Sequence, residues 1–191
     1  MKITDRKSEI INMAAKLFKE KGYSAVTMRD IAQAMDIKAA SLYNHIKSKQ
    51  EILVLIVIEI AEEFTSTMDE VVNSNETTIK QIEKIIQLHI DITLRDANAL
   101  ACLNNDWMHL ADAELTYFIK MREDYEENFR TIVKKGIADG EIKNLNLEVI
   151  IFSTLSTLRT LYLWYGKKNS PNPAVLKSNM IKVLLNGIVV D

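Results

Sequence analysis

The stretch from Thr27 to Lys49 leaves the chain little freedom, because it reads as two short helices joined by a tight turn. Thr27 followed by Asp30 opens the first helix like a capping box, and Met28, Ile31, Ala32 and Met35 then share one face that can be buried. That helix runs from about Met28 to Met35. Asp36 takes the turn, where a positive φ is often needed and a short polar side chain tolerates it better than a β-branched one. Ile37 can plug the angle between the helices. The second helix, roughly Lys38 to Ile46, turns Leu42 and Ile46 inward and leaves Ala39, Ala40, Tyr43 and Asn44 largely on the outside.

Small side chains at Ala39, Ala40 and Ser41 let the backbone approach a base edge. A helix of this kind reads the major groove with its N-terminal residues while neighbouring donors hold phosphates. Tyr43, His45, Lys47 and Lys49 all carry phosphate-donor groups. Together with Ala14, Leu17, Phe18, Gly22 and Tyr23, then Thr27, Arg29, Ile31 and Ala32, then the run from Leu42 to Ile46, Lys49 and Ile52-Leu53, residues 9 to 56 resemble the DNA-binding domain of the TetR family of bacterial transcriptional regulators. The resemblance implies phosphate contacts from Thr27, Tyr43, His45 and Lys49. It also implies base or groove contacts from Arg29, Ala39, Ala40, Ser41 and Asn44, and Lys38 at the start of the reading helix is placed in the same set. Asp36 stands where the family often has Gly, and Lys38 where Ser is common.

Ahead of this motif, Thr4 or Asp5 can cap a helix ending near Lys21, with Ile10, Met13, Ala14, Leu17 and Phe18 on one face and Gly22 as its C-cap. Behind it, Ser48 to Glu51 form a capping box that opens a long helix to about Val72, a continuous rod joining head to body. Further helices are expected at about 78 to 94, 96 to 111, 113 to 138, 146 to 166 and 173 to 190. Breaks come from Gly136, Gly140, Gly166 and the segment from Ser170 to Pro173. No strand signal competes. The expected architecture is all-α: a three-helix helix-turn-helix domain over residues 1 to 50, then a helical effector-binding and dimerisation domain over 51 to 191.

Charge supports this division. Residues 1 to 50 hold ten Lys and Arg against five Asp and Glu, a charge of +5, so the net −2 leaves −7 on the rest of the chain. A basic head can face phosphates while an acidic body stays off the DNA. The first segment is too charged for a signal peptide, the apolar run from Ile52 to Ile58 is too short to span a membrane, and the single cysteine, Cys102, fits a reducing cytoplasm, where the protein is expected.

The last two expected helices are apolar on more than one face, carrying Ile151, Leu155, Leu158, Tyr162 and Tyr165, then Leu176, Met180, Val183, Leu184 and Ile188. That surplus predicts a twofold homodimer through the helices near 146 to 166 and 173 to 190, which the resemblance also implies. The resemblance further implies a small-molecule effector in the body whose binding spreads the heads off a double-stranded operator. Candidate effector-binding residues are His89, Trp107, His109, Tyr117, Met121, Tyr125, Arg159 and Tyr162, aromatics and a methionine with a few polar groups that suit a mostly apolar ligand. The stretch from Leu115 to Ile142 with Trp164-Tyr165-Gly166 resembles family members that regulate fatty-acid and acyl-coenzyme A metabolism.

Asp106 and His109, three apart on one helix, and His89 on the preceding one offer two imidazoles and a carboxylate to a metal, although no metal or cofactor is expected. Catalytic signatures are missing from the sequence: there is no Gly-x-Ser-x-Gly, no phosphate loop and no His-Glu-x-x-His, so no enzymatic activity is expected. A repressor is expected; the alternative is a DNA-binding activator, since the sign of regulation depends on where the operator lies, or a ligand-independent interaction protein of the same fold.

Overall fold

The computed structural model describes residues 5 to 167 and 170 to 190. Thr4, one of the two expected caps of the first helix, lies outside them. Among the described residues nine α-helices follow in chain order: α1 (Asp5–Lys21), α2 (Met28–Ala34), α3 (Ala39–Tyr43), α4 (Lys49–Val72), α5 (Thr78–Arg95), α6 (Ala97–Asn105), α7 (Asp112–Ala138), α8 (Leu147–Trp164) and α9 (Pro173–Asn186). Among the described residues no strand forms.

Their ends follow from local chemistry. Gly22, at φ 83°, closes α1 with its amide on the Phe18 carbonyl at 2.7 Å, a left-handed position that costs glycine nothing. The turn between α2 and α3 is built on Asp36, at φ 52° the one non-glycine in the left-handed region among the described residues. Around it the Asp36 amide donates to Gln33 and the Ile37 amide to Ala32, a Schellman closure that glycine normally makes. Asn146 and Asn172 cap α8 and α9 with their side-chain oxygens, and Pro173 sits in the first turn of α9, where its missing N–H has no partner to lose.

Three expected boundaries shift. The reading helix is shorter than 38 to 46, with Lys38 as an N-cap that supplies no side-chain bond. The helix expected over 96 to 111 stops at Asn105, and Trp107–His109 form a 3₁₀ turn. The last helix stops at Asn186 because the residues beyond pair elsewhere: Lys143 N–H donates to Ile188 at 2.7 Å and Val190 N–H to Glu141 at 3.1 Å, around an isolated antiparallel bridge between Ile142 and Val189.

The chain folds as two compact units, one of Met1–Glu62 with Asp96–Lys120 and one of Glu63–Arg95 with Met121–Asp191. The first holds more than the three head helices. Its core is Ile10, Ala14, Phe18, Val26, Ile31, Leu42, Ile46, Ile52 and Leu53, all essentially inaccessible, and α6 lies against α1 within it. In the second, α8 and α9 both pack on α5, and Met68, Ile82, Ile85, Ile86, Ile90, Phe129 and Val133 fill the interior. Glu141 holds the start of α5 there, its carboxylate accepting from the Thr78 and Ile79 amides at 3.3 Å each, a charge placed where the helix dipole favours it.

Candidate DNA-binding face and effector core

The head presents its reading residues because Leu42 and Ile46 are pulled inward. Both are buried while Ala40, Ser41, Tyr43, Asn44 and His45 are exposed, Tyr43 by 53 %. Ala39 is half-buried and Lys38 exposed. On α2, Arg29 is exposed. The expected base-contact positions Arg29, Ala40, Ser41 and Asn44 are thus exposed on the first unit, with Ala39 half-buried among them.

Two of the expected phosphate contacts have work inside the fold. Thr27 completes a reciprocal cap with Asp30: its hydroxyl accepts from the Asp30 amide at 3.2 Å, and its own amide donates to the Asp30 carboxylate at 2.7 Å. Its hydroxyl proton also lies on that carboxylate at 2.6 Å, and these bonds hold the Asp30 carboxyl below its ordinary pKa. Lys49 is half-buried, its ammonium donating to the Tyr23 and Val26 carbonyls at 2.9 and 2.8 Å and lying 4.2 Å from the centre of the Tyr23 ring. That leaves one of its three N–H groups for a phosphate.

Tyr23 is the hub of a joint that the sequence did not reveal. Its hydroxyl donates to Gln50 at 2.9 Å, Gln50 donates in turn to the His109 carbonyl at 3.0 Å, and the His109 ring stacks on Tyr23 with centroids 5.2 Å apart. Asp106, buried and held above the ordinary carboxylate pKa by that burial, accepts from the Tyr23 amide at 3.3 Å. His109 and Asp106, read as ligands for an effector or a metal, are thus placed against the α1–α2 loop. Among the described residues no cluster of three metal-ligating side chains occurs.

The expected effector residues fall into two groups. Trp107, stacked on Phe118 at 5.6 Å, and exposed Tyr117, whose hydroxyl donates to Glu62 at 3.1 Å, belong with His109 to the first unit. His89, Met121, Tyr125, Arg159 and Tyr162 belong to the second. Four of these are buried, and two touch directly: His89 Nε2 lies 2.9 Å from the Tyr125 hydroxyl. Phe64 on α4, which the sequence did not single out, covers both, 4.6 Å from His89 and 6.0 Å from Tyr125 between ring centroids. Burial first, then the nearby Arg159 charge, pushes the His89 imidazole down to about 3, and burial drives the Tyr125 phenol up. Both are neutral. Arg159 donates to Glu126 at 3.3 Å, a partner 33 positions away that no local spacing reports.

Two family models match the chain: one described as bacterial regulatory proteins, tetR family, over residues 10–56, and one described as tetracyclin repressor-like, C-terminal domain, over residues 75–188. Among curated relatives, the HTH-type transcriptional repressor KstR2 of Rhodococcus jostii is 24 % identical over 185 residues, covering 96 % of this chain and 91 % of that protein. The fatty acid metabolism regulator protein of Bacillus subtilis is 25 % identical over 186 residues, 94 % of each chain. The solved structure of the ketosteroid transcriptional regulator KstR2 of Mycobacterium tuberculosis superposes with a TM-score of 0.90 at 19 % identity, over 100 % of this chain and 98 % of that one.

Proposed function

The chain belongs to the TetR family of bacterial regulatory proteins, since its C-terminal family match alone spans more than half of it, and from that premise we propose that it is a ligand-released repressor. It binds a palindromic operator as a homodimer. A small, mostly apolar molecule, fatty acyl in character or its coenzyme A thioester, takes it off. Residues 1 to 50 form the DNA-binding domain and 51 to 191 the effector-binding and dimerisation domain. The observation that carries this reading is the outward row of Ser41, Tyr43 and Asn44 beside buried Leu42, a helix fixed by its inner face and free to read with its outer one. The name of one relative, a fatty acid metabolism regulator, supports the effector class.

The dimer forms through α8 and α9. On them Val149, Phe152, Leu163 and Trp164, then Val175 and Val183, are exposed, Phe152 and Val183 by 72 % each. Leaving that much apolar surface in water costs roughly 25 cal/mol for each square ångström.

Selection of bound fragments from a random DNA pool tests the reading. A recurring palindrome with half-sites about one helical turn apart is expected. Affinity should fall steeply with salt, since each neutralised phosphate releases counterions. Enrichment of no sequence by folded protein would sink the proposal.

A further inference from the structure

His89 and Tyr125 form a hydrogen-bonded polar pair inside the apolar core of the second unit. His89 is 5 % exposed and Tyr125 6 %, and a phenylalanine with a leucine would fill the same space without desolvating a hydroxyl and an imidazole. Satisfying each other at 2.9 Å removes the penalty of an orphaned group but adds little. A buried titratable pair beside a charge is a candidate for recognition as well as for packing.

Arg159 sets the sign of what is recognised. Among the described residues its guanidinium makes a single hydrogen bond, 3.3 Å to Glu126. Arg130, one turn beyond Glu126 on α7, makes three, at 3.0 and 2.9 Å to both oxygens of Glu148 and 2.8 Å to Glu127. A guanidinium carries five N–H donors in a fork shaped for a carboxylate. Arg159 uses one of them, weakly, although its side chain is only 28 % exposed. Its charge bears on both His89 and Tyr125. One under-used cation with two neutral hydrogen-bonding groups, walled by Phe64, suits an anion with an apolar tail and repels a cation.

We propose that Arg159, Tyr125 and His89 form the head-group site for the carboxylate of a fatty acid, which takes Arg159 from Glu126 when it binds. This rests on the ligand-released reading above and narrows it to the free acid. The head then accepts bidentate bonds from Arg159 and a bond from the Tyr125 hydroxyl. The freed Glu126 turns to Arg130, already 3.9 Å away, so the pairing between α7 and α8 is rearranged by the ligand.

The test is titration calorimetry on the full chain with each carboxylate from hexanoate to octadecanoate, beside the alcohol, the trimethylammonium and the coenzyme A thioester of the same chain length. At the best length the carboxylate should bind at least about tenfold tighter than the alcohol, the worth of one charge-assisted pair. Arg159→Gln should erase that preference while leaving the alcohol's affinity within about twofold. Glu126→Gln should tighten carboxylate binding, a gain that misfolding cannot produce. Alcohol bound as tightly as acid, a thioester bound while the acid is silent, a carboxylate preference surviving Arg159→Gln, or no binding by any carboxylate would overturn the assignment. Operator release is read separately by fluorescence anisotropy. Release by an alcohol would overturn the carboxylate site and spare the repressor, whereas an Arg159-dependent acid that leaves DNA bound would do the reverse.

Discussion

Asp36 shows how much one dihedral can decide. At φ 52° it carries the turn on which the reading helix depends, and an aspartate tolerates that region only because its side chain is short and polar. Asp36→Ile should destabilise the head by about 1–2 kcal/mol, the cost of a left-handed L-residue made worse by β-branching. Asp36→Gly should raise the melting temperature. Both are read by thermal unfolding, and if Ile proves neutral the turn must relax by another route. His89 offers a second test at this scale. Its folded pKa, about 3, lies below the ordinary 6.5, so the unfolded chain takes up a proton that the folded one refuses. The stability from neutral His89 is complete above pH 6.5 and is lost as pH falls from there toward 3, by about 1.4 kcal/mol per unit. Carboxylates titrate in the same window, so the discriminating quantity is the difference from His89→Gln, whose acid limb should be shallower by that slope. Parallel limbs would mean that His89 is not held neutral.

Of the glycines, Gly136 is the one with close neighbours at its missing side chain. A Cβ built there would lie 2.5 Å from Thr78 Cγ2 and 2.6 Å from Ile142 Cγ1, so the start of α5, α7 and the bridge to the C-terminus close on a position with no side chain. Gly136→Ala should cost about 1–3 kcal/mol by overpacking, even though alanine favours the helix itself. A denaturant midpoint unchanged by it would show that the neighbours yield. The sequence presented Gly136 only as a helix breaker, and it is inside α7. This is typical of what pattern could and could not deliver. Period and caps located the helices, because apolar faces and Thr, Asp and Ser caps act over three or four residues, although the Asn146 and Asn172 caps were not read from the sequence. The contacts of Tyr23 with Gln50 and Asp106, and of Phe64 with Tyr125, span 27, 83 and 61 positions, and no local signal reports them. The same limit explains why His109 and Tyr125 read alike as effector residues, while one stacks against the head loop and the other lies in the second unit's core. At the element scale the missing cap of α3 is also informative. Lys38→Ser should stabilise the head by about 0.5–1 kcal/mol, while weakening DNA binding and lowering its salt slope by about one ion if Lys38 reaches a phosphate.

For the whole molecule, the proposed repressor needs two heads at a fixed spacing, and one copy carries one. Phe152 and Val183, each 72 % exposed in the isolated chain, are therefore the residues on which the proposed assembly stands or falls. A charge at the centre of an apolar interface is desolvated without a partner, which costs several kcal/mol in each of two symmetry-related places. Phe152→Glu should accordingly yield a folded monomer by sedimentation at micromolar concentration, with its helical signal intact because Phe152 supports no core. Its operator affinity should drop by about 10²–10⁴, since a single head loses the effective concentration that its tethered twin provides. Binding to one half-site should be unchanged. That contrast separates a dimer defect from damage to the reading helix: Tyr43→Phe, on the exposed face of the head, should weaken half-site and full operator together while leaving the sedimentation of the dimer untouched. If Phe152→Glu stayed dimeric with full operator affinity, the copies would have to meet on some surface other than α8 and α9.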